Sequence, residues 1–124
     1  MKIVKATGRA LRGITDYQGR AGRGEYWWFL LFCVLVASLL VGIDVAIQGW
    51  DYRRGFADIW ALLTVVPLVS TGARRLHDTG RSGWWQLVAL VPVFGALLLV
   101  VWLAKPSDAK KNAYGRPVPP LAKL

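Results

Sequence analysis

The longest uncharged apolar run constrains this chain most. From Tyr26 to Ile43 (YWWFLLFCVLVASLLVGI) no residue is charged. As a helix rising about 1.5 Å per residue, such a run is about long enough to cross a hydrocarbon core of roughly 30 Å. A second run, Ile59 to Ala73 (IWALLTVVPLVSTGA), reaches that length only if it extends back through Phe56, and Pro67 near its centre is expected to kink it. A third, Trp84 to Ala104 (WWQLVALVPVFGALLLVVWLA), has ample length, with a bend expected at Pro92 and Gly95. The reading is an all-α membrane protein with three transmembrane helices, at about 26–46, 56–73 and 84–104. They form a single domain over 1–124, with a basic juxtamembrane segment (1–25) and a short polar tail (105–124).

Composition agrees with a bilayer as host. In a chain of 124 residues, 55% are hydrophobic and the mean hydropathy is +0.38. A soluble domain of this size has too little interior to hide so much apolar surface. The net charge of +9 lies outside the apolar runs, which suits anionic lipid and argues against nucleic acid as a partner, because no basic face on a soluble fold is in view. A cleaved signal peptide would have a shorter apolar stretch and a small-residue cleavage site, so the first run reads as a retained anchor; no processing signal supports a mitochondrial presequence either. Cys33, the one cysteine, excludes an internal disulfide and reads as a small packing residue.

Aromatic residues are expected at the membrane–water boundaries. Three crossings place Tyr26, Trp27, Trp28, Trp84 and Trp85 at one leaflet and Trp50, Tyr52, Trp60 and Trp102 at the other. Ahead of the first run, Ile3, Ala10, Leu11, Ile14 and Tyr17 recur at roughly helical spacing with Lys2, Lys5, Arg9 and Arg12 off the stripe. That pattern suits a helix on the membrane surface, while Gly8 and Gly13 keep a disordered basic tail open as the alternative. The segment from Lys105, with Pro106, Pro117, Pro119 and Pro120, reads as polar and extended. With three full spans, nine Lys and Arg face one side and seven the other; if the second run only dips into the membrane, the division is eleven against five. The second arrangement obeys the positive-inside rule better, and the first better satisfies backbone hydrogen bonding in lipid.

Two stretches carry most of the polar signal, GRAGRGEYWWFLLF at Gly19–Phe32 and ARRLHDTGRSGWW at Ala73–Trp85. Each sets arginines and an acid ahead of paired tryptophans. They resemble the signatures of a bacterial inner-membrane family known as domain of unknown function 805, and KNAYGRPVP at Lys111–Pro119 is similar to that family's Asn-x-Tyr/Phe-Gly ending. Here Arg116 follows Tyr114 and Gly115, where the family commonly has Pro-Asp. The resemblance implies a multi-pass bacterial inner (plasma) membrane protein and no established activity.

Three crossings would gather Arg20, Arg23, Glu25, Arg74, Arg75, His77, Asp78 and Arg81 at one leaflet. Arginine forks bind phosphate bidentately, so this cluster is a candidate site for an anionic lipid head group or another anionic ligand. The competing reading, favoured because basic flanks are common anchors, is structural: Glu25 and Asp78 pin helix ends through the arginines, Ser82 caps the third helix, and Gly80 and Gly83 shape a turn. No catalytic residue is assigned, since His77 and Asp78 are neighbours on one backbone and nothing completes an acid–base machine. One His, one Cys and scattered carboxylates hold no metal, and no cofactor is expected. The leading expectation is a non-enzymatic membrane component binding anionic lipid, a partner membrane protein or a second copy. A subunit of an oligomeric transporter or channel, drawing on Thr64, Ser70, Thr71 and the two span prolines, is the alternative, and a lipid-head-group enzyme using His77 the third.

Overall fold

The computed structural model describes residues 1–51 and 53–119; Tyr52, Pro120 and the last four residues of the tail lie outside the described residues. Its elements are α1 (Lys2–Arg12), α2 (Arg23–Gln48), α3 (Phe56–His77), a 3₁₀ segment (Gly83–Leu90) and α4 (Phe94–Ala104). Helices α2 and α3 are the two long apolar ones, of 26 and 22 residues. At about 1.5 Å per residue both exceed the roughly 30 Å of a bilayer core. Within their most apolar windows only 11% and 33% of residues are buried. The remaining apolar side chains face outward, as lipid-facing helices require and the core helices of soluble domains do not.

Helix α1 forms as one of the two sequence alternatives, but its buried face is not the one the stripe suggested. Ala6 and Ala10 are fully buried and meet Phe29 and Cys33 of α2, while Leu11 and Tyr17 remain exposed. Small residues let the two backbones approach closely, which is how helices associate where lipid is as apolar as Leu. Cys33 is the packing residue expected of it.

Helix α3 starts at Phe56, the extension that a full span needs. The Asp44 carboxylate on α2 supplies its cap, accepting from the backbone N–H groups of Phe56 at 2.9 Å and Ala57 at 3.0 Å. Asp58 reaches back to accept from Gly55 N–H at 2.8 Å. Helix N-termini leave N–H groups unsatisfied and carry partial positive charge, so the carboxylates stabilise the start of α3 twice over. A Cβ at Gly55 would lie 2.3 Å from the Asp44 carboxyl carbon, so only glycine admits this cap.

The third apolar run breaks where a bend was expected, between Leu90 and Phe94, but it turns back there and does not continue as a single bent span over Trp84–Ala104. The 3₁₀ segment and α4 are separate and fold back on each other, bringing Trp85 and Trp102 into edge-to-face contact at 5.5 Å between centroids. Pro92 has no N–H to continue a helix. Val93 then adopts φ 62°, ψ −65° with Phe94 N–H bonded to Pro92 O at 2.7 Å, a tight γ-turn that reverses the chain. Gly95 N–H returns to Val91 O and Leu97 N–H to Val93 O, which pairs part of the backbone at the tip.

Two consequences follow for the aromatic and tail assignments. Trp102 joins Trp85 at the end of the molecule near Arg81 rather than marking the opposite leaflet. Trp60 packs edge-on against Phe32 and donates to Cys33 O at 3.0 Å, inside the helix pair rather than at a boundary. The tail likewise is not a free extended segment. Asn112 and Gly115 close a small turn that docks against Arg20, ahead of α2, and against His77 at the end of α3.

Candidate functional site

The C-terminal end of α3 is buried without interruption from Ser70 to Asp78, although it contains two arginines, a histidine and an aspartate. Burying such groups is costly unless each charge is paired and hydrogen-bonded. Asp78 is 1% exposed and binds two guanidinium groups, Arg20 Nε at 2.8 Å and Arg75 Nη1 at 2.8 Å. Glu25, 2% exposed, binds Arg74 Nη1 at 2.9 Å and Arg9 Nε at 3.1 Å. Two carboxylates thus serve four arginines, one set at the base of the tail and the other under α1.

Arg20 uses its whole fork. Nε donates to Asp78 Oδ1, Nη1 to the carbonyls of Lys110 and Gly115 at 3.1 Å each, and Nη2 to Asp78 O at 3.1 Å and Asp108 O at 2.7 Å. Arg75, fully buried, donates to Asp78, to Ala21 O, to Leu103 O at 2.9 Å and to Lys105 O. The last two carbonyls belong to the end of α4, where a cation offsets the helix dipole and fills orphan acceptors. Trp27 Nε1 donates to the same Leu103 carbonyl at 3.2 Å, and exposed Arg23 to Ala104 O at 3.4 Å. These bonds close the hairpin back onto the end it started from.

The structure therefore brings together Arg20, Arg23, Glu25, Arg74, Arg75, His77 and Asp78 as the sequence expectation grouped them, but most are occupied by one another. His77 and Asp78 do not pair: His77 Nδ1 meets Gly19 O at 2.9 Å, and its ring stacks on Tyr114 at 3.9 Å with the planes 1° apart. Gly19 is itself held by Asp16, whose carboxylate accepts from the N–H groups of Gln18 and Gly19 at 3.0 Å each. Those hydrogen bonds, that of Gln18 first, hold the Asp16 carboxyl below its ordinary range against the opposing effect of burial, with help from the charge of Arg74. Ser82 caps the 3₁₀ segment by accepting from Trp84 N–H at 3.3 Å, and Gly80 takes the positive φ of 79° that the preceding turn needs.

Arg81 stands apart. Among the described residues it has no carboxylate partner, its Nε is buried without a hydrogen bond, and its guanidinium lies 4.5 Å from the centroid of the Trp102 ring. Of the aromatic residues predicted at this rim, Trp84, Trp85 and Trp28 are exposed, and Tyr26 and Trp27 half-buried and edge-to-face at 5.3 Å. Sequence reasoning missed Arg9 and the tail residues Asp108 and Asn112 as members of the cluster. Asn112 Nδ2 donates to His77 O at 2.9 Å and its Oδ1 accepts from Tyr114 N–H at 2.8 Å; the Asn-x-Tyr-Gly pattern was the signal that could have found it. The groups raised for a transport path are also engaged, Thr64 with Trp60 O, Ser70 with Pro67 O and Thr71 with Arg74. No cluster suited to a metal occurs among the described residues.

A family profile described as "Protein of unknown function (DUF805)" matches residues 14–116. The chain is 34% identical over 110 residues to inner membrane protein YhaH of Escherichia coli strain K12, covering 86% of this chain and 90% of that one. It is 35% identical over 105 residues to inner membrane protein YhaI of the same strain, covering 85% and 87%. No solved structure matches it.

Proposed function

The chain belongs to the DUF805 family, and on that premise we propose that it is a non-enzymatic inner-membrane component that holds anionic lipid head groups at the rim of a re-entrant hairpin. It is an inner-membrane protein, as its relatives are named. Helices α2 and α3 cross the bilayer, and the third apolar run enters and leaves on one side. Eleven residues of α4 give about 16 Å at α-helical rise, and eight of the 3₁₀ segment about 16 Å at 2.0 Å each, so each arm reaches half the bilayer depth. Among the described residues, thirteen Lys and Arg lie on the segments leading into or out of the end that holds the cluster, and two, Arg53 and Arg54, on the α2–α3 connection. That asymmetry supports a cytoplasmic cluster with both termini inside.

Arg81 carries the lipid reading. Arg20 and Arg75 are engaged in ion pairs and carbonyl bonds, and have little left to offer an incoming anion. Arg81 keeps its charge unneutralised over the Trp102 ring, which meets Trp85 edge-on, in the setting where a guanidinium fork meets a phosphate at the head-group level. The test is native mass spectrometry of protein extracted from nanodiscs containing phosphatidylglycerol. The wild type is expected to retain phosphatidylglycerol, Arg81→Ala to lose it and Arg81→Lys to retain an intermediate amount; equal retention by Arg81→Ala overturns the proposal.

A further inference from the structure

The docked tail roofs a groove that the arginine cluster does not use. Its volume is about 630 Å³, within the range of small-molecule sites, and its walls include Tyr17, Val69, His77, Ser82, Trp84 and Tyr114. Among the described residues no Lys, Arg, Asp or Glu lines it, so a charged ligand would lose hydration without finding a counter-charge.

His77 is 6% exposed, yet only one of its ring nitrogens is bound. Nδ1 faces a carbonyl, so it carries the proton, and in the neutral ring Nε2 is left as an acceptor. Among the described residues Nε2 has no hydrogen-bond partner, and it lies 3.6 Å from where a Cβ on Gly83, another wall residue, would sit. The hydroxyls of Tyr17, Ser82 and Tyr114 donate to nothing described. The exposed indole of Trp84 and the stacked His77–Tyr114 pair supply flat faces, and Val69 leads from the groove onto the outward face of α3, 42% exposed.

We propose that this groove binds an uncharged amphiphile whose head is a ring bearing hydroxyl donors, one of them given to His77 Nε2, with its apolar chain running out past Val69 into the lipid. A lipid-soluble quinol has this chemistry, and so has a lipid with a neutral sugar head.

The experiment titrates full-length protein in phosphatidylcholine nanodiscs, corrected against empty discs, with a decyl-chain benzoquinol, decyl glucoside and decanol. His77→Asn keeps a donor for Gly19 O while removing the Nε2 acceptor. Ala113→Trp fills the groove from the exposed side of the tail turn, where Ala113 lines it. Saturable binding of the quinol, weakened at least ten-fold by His77→Asn and lost in Ala113→Trp, supports the site and its quinol source. The same dependence for decyl glucoside in place of the quinol supports the site with a sugar head. Binding by neither, decanol binding as tightly as the better of the two, or unchanged affinity in His77→Asn overturns the proposal. If His77→Asn does not fold, undiminished binding by Ala113→Trp overturns it alone.

Discussion

Asp78 is the residue on which the cluster turns, because one carboxylate neutralises two buried guanidinium groups. Removing one member of such a set leaves charge without a counter-charge, at a cost of about 3–5 kcal/mol. Asp78→Ala is therefore expected to be among the most damaging single changes, read as a large loss of thermal stability in detergent. Arg20→Lys should also destabilise, since a three-donor ammonium cannot replace a planar fork that reaches four carbonyls and a carboxylate. Gly55→Ala tests the other end of the molecule: the added methyl would collide with Asp44 and displace the cap of α3, for an expected loss of about 1 kcal/mol or more. Asp16 gives a pH dependence. Its carboxyl is depressed in the folded chain, so its contribution is present above the ordinary Asp range and is lost as pH falls through the folded value. The tie from Gly19 to His77 should hold at neutral pH and loosen only in acid below that range, which hydrogen exchange at Gln18 and Gly19 would report; Asp16→Asn should loosen it at every pH.

The hairpin is the element whose form was least legible beforehand. Pro92 and Gly95 announce a bend, but periodicity carries no bend angle, and a gentle kink and a full reversal share the same apolar run. The reversal rests on Val93 at φ 62°, a conformation costly for a β-branched residue. Val93→Gly should relieve that strain and raise stability by about 1 kcal/mol, the gain at this site exceeding glycine's loss of unfolded-state restriction. An unchanged or lower melting temperature would argue against the turn. The tail was misjudged for a related reason: prolines and lysines read as solvated coil, whereas the turn at Asn112–Gly115 is held by partners 35 to 95 residues away. Helix α3 was the better case, because its need to start at Phe56 followed from the length of a bilayer crossing alone.

For the whole molecule the central prediction is topological. In a Cys33→Ala background, single cysteines at Thr79 and Lys111 should both resist an impermeant thiol reagent in intact cells, while one at Asp51 is labelled. Labelling at Lys111 with protection at Thr79 would restore three full crossings and separate the tail from Arg20. What the chain's sequence determined by itself was the setting: three apolar runs read as membrane segments, a basic end, and arginines, Glu25 and Asp78 near the same rim. These are local properties, decided by transfer free energy over about 20 consecutive residues and therefore visible in a window of that length. Only the tertiary structure decided that Asp78 serves Arg20 and Arg75 while Glu25 serves Arg74 and Arg9, that the third run turns back, and that the tail closes a groove over His77. Each of those choices is a competition among partners far apart in the chain, settled by which buried charges and orphan carbonyls can be satisfied together, and no short window of sequence contains both sides of it.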